Sequence, residues 1–393
     1  MTPNGDEELA LEEGGPAWRV WLRTGLAPSD RTHLGRRALL LAALCWLPLL
    51  GSSLVDGTAT GDSVRVPFLR DLAAYARFVI GIALLVFADA AVAQRLRPVL
   101  QEFLSAKLIR RDAIGAFRAA VTRARRQIDS VVVEAVLLAL AYAGSWNVVH
   151  AELADGQSTW HALATDGVES LSRAGWWYAL VSVPLFYFLF LRWVFRGFVW
   201  SGLLAKISRL DLDLVPTHPD RAGGLGFLSI GQAGFAILVL AASASLAARC
   251  GDEVLYQGVA LESFYPTLIA FGVLALLLVL APLLVFAPRL AALKRHALYE
   301  YGRLSSRHDG AFRDKWIADA SRPQPESLLG NEDPSSLADL ATGYERAKAL
   351  RPLPIDVAAI APVIVAAALP MIPLIALRVP LKEILKGLLK VVM

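Results

Sequence analysis

The chain has 393 residues, of which 56% are hydrophobic and only 19% are charged, and its formal net charge is +4. An average soluble domain carries about 25% charged residues, so this composition excludes an ordinary water-soluble globular protein. The apolar residues stand in long uninterrupted runs, which also excludes a membrane β-barrel, because barrel strands alternate apolar and polar residues over about ten positions.

Seven apolar segments are long enough to cross a bilayer as α-helices, because about 20 residues at a rise of 1.5 Å per residue span the hydrocarbon. The sequence therefore predicts an all-α polytopic transmembrane bundle of about seven spans. The last segment is the least regular, since it contains Pro362, Pro370 and Pro373. The predicted spans are residues 38–55, 75–93, 131–149, 176–191 (continuing toward 200), 227–248, 267–286 and 357–377.

Lysine and arginine are distributed unevenly between the two sets of connecting segments. With the N-terminus in the cytoplasm, the pieces 1–37, 94–130, 192–226 and 287–356 carry 30 Lys and Arg, against four in the three outer loops. Basic residues are retained on the cytoplasmic side, so this asymmetry predicts a cytoplasmic N-terminus. The pI near 9.1 then reflects contact with a lipid bilayer whose inner leaflet is anionic, and no nucleic-acid partner is expected.

Four regions follow from this topology. They are a cytoplasmic N-terminal arm (1–37), a six-helix transmembrane region (38–286) with a basic helical loop (94–130), a cytoplasmic helical loop (287–356) and a last Pro-rich membrane segment with an amphipathic C-terminal helix (357–393). The basic loop either lies on the inner leaflet or packs under the bundle, and both alternatives stay open.

The third and fourth regions carry two further predictions. In the loop 287–356, Ser336 followed by Asp339 is typical of a helix start, because a short polar side chain caps the helix and an acid follows three residues later. An odd number of spans places the tail 378–393 outside the cell. Its four basic residues support an alternative, a re-entrant last segment with the tail inside. We predict the spanning arrangement, because C-terminal charges do not always dictate topology.

The fifth predicted span is rich in small residues. Ten of the 16 residues from 233 to 248 are Gly, Ala or Ser. Small side chains let helix backbones approach closely in lipid. We therefore predict that this helix lies at the centre of the bundle.

Four ionisable residues are predicted at similar depth near the cytoplasmic ends of the spans: Asp89, Glu134, Arg192 and Arg196. An unpaired charge in the bilayer costs at least about 2.5–3.5 kcal/mol, so such groups usually face the bundle and pair. We predict that both carboxylates point inward and that at least one contacts Arg192 or Arg196, with Asp89 and Arg192 the first pair to test by charge exchange. The alternative is that all four extend separately to the lipid headgroups.

The segment between the fourth and fifth spans concentrates ionisable groups and glycines. Its candidate ligand- or ion-binding residues are His218, Asp220, Arg221, Gly223 and Gly224. A glycine-rich turn that leads into a helix can present backbone N–H groups to an anion. The alternative is a tight loop in which Thr217 and Asp220 cap a turn.

This segment also carries a resemblance. The run Thr-His-Pro-Asp-Arg-Ala-Gly-Gly-Leu-Gly-Phe at 217–227, the runs at 336–340 (Ser-Leu-Ala-Asp-Leu) and 349–354, and the Pro-rich last span together resemble a family of uncharacterised multi-pass bacterial inner-membrane proteins. The resemblance covers mainly the second half of the chain. It implies a bacterial inner-membrane location and carries no defined activity.

Motifs for metal or enzyme chemistry are weak. His150 and His161 share an outer loop with Glu152, Asp155 and Asp166, but loosely spaced acids and histidines are usually solvated, and we predict no metal and no cofactor. The leading hypothesis is a channel or transporter-like protein for a small solute or ion. The main alternative is a membrane scaffold or sensor without transport activity. A membrane enzyme with its site at His218 is the third hypothesis, and a homo-oligomer or a membrane partner stays open.

Overall fold

The computed structural model describes residues 14–23, 31–154, 159–165, 168–318, 327–328 and 330–376. Within these ranges the chain forms a bundle of α-helices with one small β-hairpin. The predicted all-α character is therefore confirmed for nearly all of the described chain. The predictions for residues 1–13 and for the tail 378–393 lie outside the described residues.

In the part of the chain that the structure describes, ten helices, numbered in chain order, make up the bundle. They are α1 Pro16–Arg23, α2 Arg31–Val55, α3 Leu72–Ser105, α4 Ile114–Ile128, α5 Val131–Ala154, α6 Arg173–Ile207, α7 Phe227–Gln257, α8 Leu261–Trp316, α9 Asp333–Lys348 and α10 at residues 357–376. Helix α3 includes a π-helical turn, and α8 includes a 3₁₀ stretch.

Among the described residues, six helices are long and apolar enough to cross a membrane: α2, α3, α5, α6, α7 and α8. They coincide with the first six predicted spans, and they make the chain a helical membrane protein. The seventh predicted span is α10, whose apolar part, Ala359–Leu374, is shorter. A 3₁₀ turn at Leu369–Met371 interrupts it, as expected for a segment rich in proline. A seventh crossing and the orientation of the N-terminus remain predictions.

The two ends of the bundle are distinguished by what connects the helices there. At the loop end, α6 is joined to α7 by residues 208–226; at the hairpin end, strands β1 (Ala162–Thr165) and β2 (Val168–Leu171) pair antiparallel. The hairpin is a small correction to the all-α prediction. Four-residue strands next to polar loop residues leave no periodic pattern long enough to detect.

Helix α10 and the residue before it lie beside α7 from Ser229 to Cys250. Near the loop end, the Asp356 backbone N–H donates to Ser229 Oγ at 3.1 Å. Midway, Ser243 Oγ donates to the Ala367 carbonyl at 2.6 Å. At the hairpin end, Leu374 packs with Cys250. The hydroxyl of Ser243 thus makes an ordinary inter-helix hydrogen bond.

Several helices extend beyond the apolar runs that reveal them. Helix α2 begins at Arg31, seven residues before the predicted span, so Arg37 lies inside a helix rather than in a separate arm. Helix α3 continues to Ser105 and α8 to Trp316. An apolar run marks the part of a helix that meets lipid, and polar residues with good helix propensity continue the same helix beyond it.

Helix α7 lies at the centre of the bundle, as predicted from its small residues. In the most hydropathic stretch of α7, 67% of the residues are buried inside the protein, against 50% or less in the other five candidate spans. At Gly231 an added Cβ would stand 2.7 Å from Val99 Cγ2 of α3. Only glycine therefore permits this helix contact.

The basic loop packs under the bundle rather than lying apart from it. Helix α4 buries Phe117, Val121, Ala124 and Ile128, which are spaced three or four residues apart and so share one face. This face packs against α6, and Phe117 meets Phe103 of α3 with ring centroids 6.1 Å apart. Of the two alternatives left open by the sequence, the structure therefore shows the loop packed under the bundle.

Helices α8 and α9 pack against each other beyond the loop end. The predicted helix start at Ser336 is wrong by three residues, because α9 begins at Asp333. Asn331 Oδ1 accepts the Asp333 N–H at 2.9 Å, and Pro334 occupies the first turn. Ser336 Oγ instead donates to the Asp333 carbonyl inside the helix. Proline suits the first turn of a helix, and this signal outweighs the Ser336 pattern.

Candidate functional site

Five ionisable side chains from four helices meet near the loop end; we call Arg37, Asp89, Glu134, Arg192 and Arg196 the charge cluster. Arg196 Nη1 of α6 lies 2.9 Å from Asp89 Oδ1 of α3, and Arg37 Nη2 of α2 bonds to Asp89 Oδ2. Arg192 Nε lies 3.4 Å from Glu134 Oε1 of α5. Each of the five side chains is at most 10% exposed. The predicted contact between a carboxylate and an arginine of α6 is therefore present.

Asp89 pairs with a different arginine of α6 from the one chosen from the sequence for charge exchange. Asp89 contacts Arg196 and Arg37, whereas Arg192 contacts Glu134. The register of α3 and α6 explains this. Trp193 Nε1 donates to the Leu85 carbonyl at 3.0 Å, and both helices run toward the loop end. Asp89, one turn beyond Leu85, therefore meets Arg196 rather than Arg192.

Arg37 belongs to the cluster but is absent from the sequence-based candidates. Next to Arg36, just before an apolar run, it reads as an interfacial anchor. In the structure the Arg37 residue is only 1% exposed, and Nη2 also donates to the Val86 carbonyl at 3.3 Å. Its Nε and Nη1 atoms are buried and have no hydrogen-bond partner. No local sequence pattern indicates this contact, because it depends on where α2 begins.

Helix α1 covers the cluster. The Trp21 ring centroid lies 4.1 Å from Arg37 Cζ and 5.0 Å from Arg192 Cζ, so the indole contacts two guanidinium groups. Two backbone contacts precede the helix. Arg192 Nη2 donates to the Gly14 carbonyl at 3.4 Å, and the Gly15 N–H donates to Asp129 Oδ1 at 2.9 Å. Trp21 thereby excludes solvent from the arginines.

The glycine loop at 217–227 is organised by Asp220. Its carboxylate accepts the backbone N–H groups of Ala222, Gly224 and Gly226 at 2.8, 3.2 and 2.8 Å. Gly223 and Gly224 have φ angles of +68° and +96°, which glycine adopts readily. The backbone N–H groups that the sequence offered for an external anion instead donate to the chain's own carboxylate, Asp220. This geometry matches the tight-loop alternative, with Asp220 as its cap.

These bonds also set the acidity of Asp220. Partial burial acts to raise the pKa of the carboxyl group. The N–H bonds from Ala222, Gly226 and Gly224 and the contact with His218 outweigh burial and lower the pKa of Asp220 below its usual range. The carboxylate is therefore held ionised at neutral pH.

The other loop candidates are not all brought together. His218 Nδ1 lies 2.8 Å from Asp220 Oδ1, and both residues line a cleft of about 520 Å³ together with Gly223, Gly224 and residues that include Lys107 and Arg351. Arg221 is exposed and does not line this cleft. Its carbonyl accepts the Arg351 N–H at 2.8 Å, which ties the loop to the segment after α9.

A second polar cluster lies at the hairpin end. Arg77 Nη1 donates to Tyr178 Oη at 2.9 Å, and this hydroxyl donates to Glu152 Oε1 at 3.2 Å. His161 Nε2 lies 3.2 Å from Glu152 Oε2, and its ring stacks on Tyr178 with centroids 5.0 Å apart. Only Glu152 Oε1 accepts a hydrogen bond from the described residues, because Oε2 and the facing His161 Nε2 are both buried without a hydrogen-bond partner.

A metal site at this end finds no support within the described residues. No group of three His, Cys, Asp or Glu that could hold a metal ion occurs among them. His150 Nδ1 lies 3.1 Å from the Trp146 carbonyl of its own helix. Asp155 and Asp166 lie outside the described residues.

An apolar layer separates the two polar clusters. Arg77 and Asp89 lie on the same helix, twelve positions or about 18 Å apart. The core between them contains Ile82, Leu85 and Phe186, all buried. Buried apolar side chains therefore stand between the two clusters in this part of the core.

Comparison of the chain with protein-family models, with curated proteins and with solved structures gave no match.

Proposed function

We propose that this membrane protein is transporter-like and moves a small solute or ion across the bacterial inner membrane, with the charge cluster as a closed gate. One observation carries the proposal: five ionisable side chains from four membrane helices are buried together. Charges inside membrane helices are costly and are typical of ion or substrate pathways. The apolar layer between the polar clusters is what a closed conformation requires.

The proposal is tested by flux in liposomes. The purified chain is reconstituted and assayed with a panel of small cations and anions, with Arg37→Gln and Arg37→Lys as variants of the gate. Arg221→Ala serves as the matched control, because Arg221 is an exposed basic residue of the loop. We expect flux of at least one solute above that of empty liposomes and a changed rate only in the cluster variants. Flux equal to that of empty liposomes for every solute would refute transport.

A second candidate function, a scaffold or sensor, is favoured by a different observation. The helix Ala287–Trp316 extends about 45 Å beyond the apolar part of α8 and packs with α9. Its Tyr299 and Leu304 are exposed, which suits contact with a partner. The same assay separates the two functions, because a scaffold conducts no solute.

A further inference from the structure

We infer that the charge cluster is a binding site for a small oxyanion, either a carboxylate or a phosphate, and that Trp21 of α1 covers this site. The inference deepens the proposed function by naming the class of solute. It stands on charge balance, on unused hydrogen-bond donors and on the position of α1.

The charge balance of the cluster is positive. Among the described residues it contains three guanidinium groups and two carboxylates, all at most 10% exposed. Arg37 and Arg196 share the carboxylate of Asp89, and Arg192 pairs with Glu134. The described cluster therefore holds one more cation than carboxylates. A net buried charge is unfavourable, so a bound anion would stabilise this arrangement.

Arg37 also has donors to offer. Its Nη2 atom serves both Asp89 and the Val86 carbonyl, but Nε and Nη1 are buried without an acceptor. Arginine binds carboxylate and phosphate oxygens through several N–H groups at once. An oxyanion with two or more oxygens would fill this role better than chloride.

The Trp21 ring occupies the place that such an anion would take. It lies over both Arg37 and Arg192, the two guanidinium groups between which an oxyanion would bind. A cation–π contact is weak compared with hydrogen bonds between charged groups, which are among the strongest in proteins. An anion can therefore displace the indole. Helix α1 is only eight residues long, so this displacement needs no rearrangement of the membrane helices.

The same chemistry could come from a free anion or from the phosphate of a lipid headgroup, and the test separates these sources. The unfolding midpoint of the full chain in neutral detergent is measured with increasing inorganic phosphate or acetate, at fixed ionic strength with chloride as the reference anion. A parallel series adds an anionic phospholipid to the micelles. A ligand that binds only the folded state raises the midpoint with the logarithm of its concentration.

Two pairs of variants make the test specific. Arg37→Gln should fold, because Asp89 keeps Arg196, and it should lose the anion response by at least tenfold in apparent affinity. Arg37→Lys keeps the charge and should retain a weaker response. Trp21→Ala should bind several-fold more tightly than the wild type. Trp18→Ala, which removes the neighbouring indole 6.5 Å away, should bind as the wild type does.

A response to phosphate or acetate supports a free anion, and a response only to anionic lipid supports a headgroup phosphate. No response in either series, or an equal response in Arg37→Gln, would overturn the site. Weaker binding by Trp21→Ala would overturn the covering role of α1. A further control is the double variant Glu12→Gln with Glu13→Gln. If it lowers the unfolding midpoint and neither anion raises the midpoint of the wild type, the chain's own carboxylates balance the charge and the proposal is refuted. The unfolding midpoint measures binding independently of flux. Anion binding without transport would therefore refute only the proposed function. Cation flux without anion binding would refute only this inference.

Discussion

Asp89 and Asp220 are both carboxylates engaged by several donors, but the origin of those donors differs. Asp89 binds the side chains of Arg37 and Arg196, which lie 52 and 107 positions away in the sequence. Asp220 binds the backbone N–H groups of its own loop, two, four and six positions later. The first arrangement requires the membrane helices to be packed, whereas the second requires only a local turn. Their loss should therefore have different consequences.

The largest effect is expected at Asp89. Asp89→Asn leaves two buried guanidinium groups without their carboxylate, and breaking a buried ion pair in this way costs about 3–5 kcal/mol. We expect a much lower unfolding midpoint in detergent or a loss of membrane insertion. Asp220→Asn is the matched control, because it makes the same chemical change in the loop. Equal losses in the two variants would contradict the comparison.

A double variant sharpens this result. Because Arg37 loses its carboxylate partner in Asp89→Asn, the double variant Asp89→Asn with Arg37→Gln should be more stable than Asp89→Asn alone. Contacting residues commonly show couplings of about 0.5–3 kcal/mol, which a double-mutant cycle in the same detergent resolves. The exchange of Asp89 with Arg192, chosen from the sequence, should show no such recovery, since Arg192 pairs with Glu134. A double variant as unstable as the single one would exclude coupling to Arg37.

The next effect is expected at Gly223 in the glycine loop. Gly223→Val forces a β-branched residue to adopt φ near +68°, with Leu290 and Leu293 already 3.3 Å from the new Cβ. A left-handed conformation costs an L-residue about 1–2 kcal/mol, and crowding adds to this. We expect a lower unfolding midpoint with insertion retained. Gly302→Val is the control, because that glycine lacks a positive φ and its nearest neighbour is 3.8 Å away.

A smaller effect is expected at Asp220 itself. Asp220→Asn keeps one oxygen but loses the charge and part of the N–H bonding, which costs about 1 kcal/mol. The folded-state pKa of Asp220 is lowered, so its stabilisation is present above the unfolded pKa of about 3.9. It is lost as the pH falls through the folded pKa. The difference between wild type and variant should be constant near neutral pH and vanish in acid; a difference that persists in acid would contradict this.

The smallest effect is expected at Arg221. Its side chain is exposed, and only its carbonyl makes a contact with Arg351. Arg221→Ala should change the stability by no more than about 0.5 kcal/mol, measured as the unfolding midpoint beside Asp220→Asn. A large loss of activity with unchanged stability would instead restore Arg221 as a ligand-binding residue.

How far the sequence predicts these regions follows from the range of their interactions. The six candidate spans and the burial of α7 depend on composition along one segment, and both are predictable. The inward pairing of the ionisable residues is also predictable, because isolated charges are costly in lipid. The choice of Arg196 over Arg192 depends on the register of α3 against α6, and the role of Arg37 depends on where α2 begins. Neither is encoded in a local pattern.

The helix α8 has a mechanical consequence. It runs without a break in helical structure from Leu261 at the hairpin end to Trp316 beyond the loop end, and its geometry changes to 3₁₀ in its first turn, Leu261–Phe264, and again at Ala281–Phe286. The part beyond the second 3₁₀ stretch is a lever arm about 45 Å long. A bend of about 5° in this stretch would move its tip by roughly 4 Å, by simple geometry of a rigid helix. A small change of angle at the membrane surface is thus converted into a displacement larger than a hydrogen bond is long.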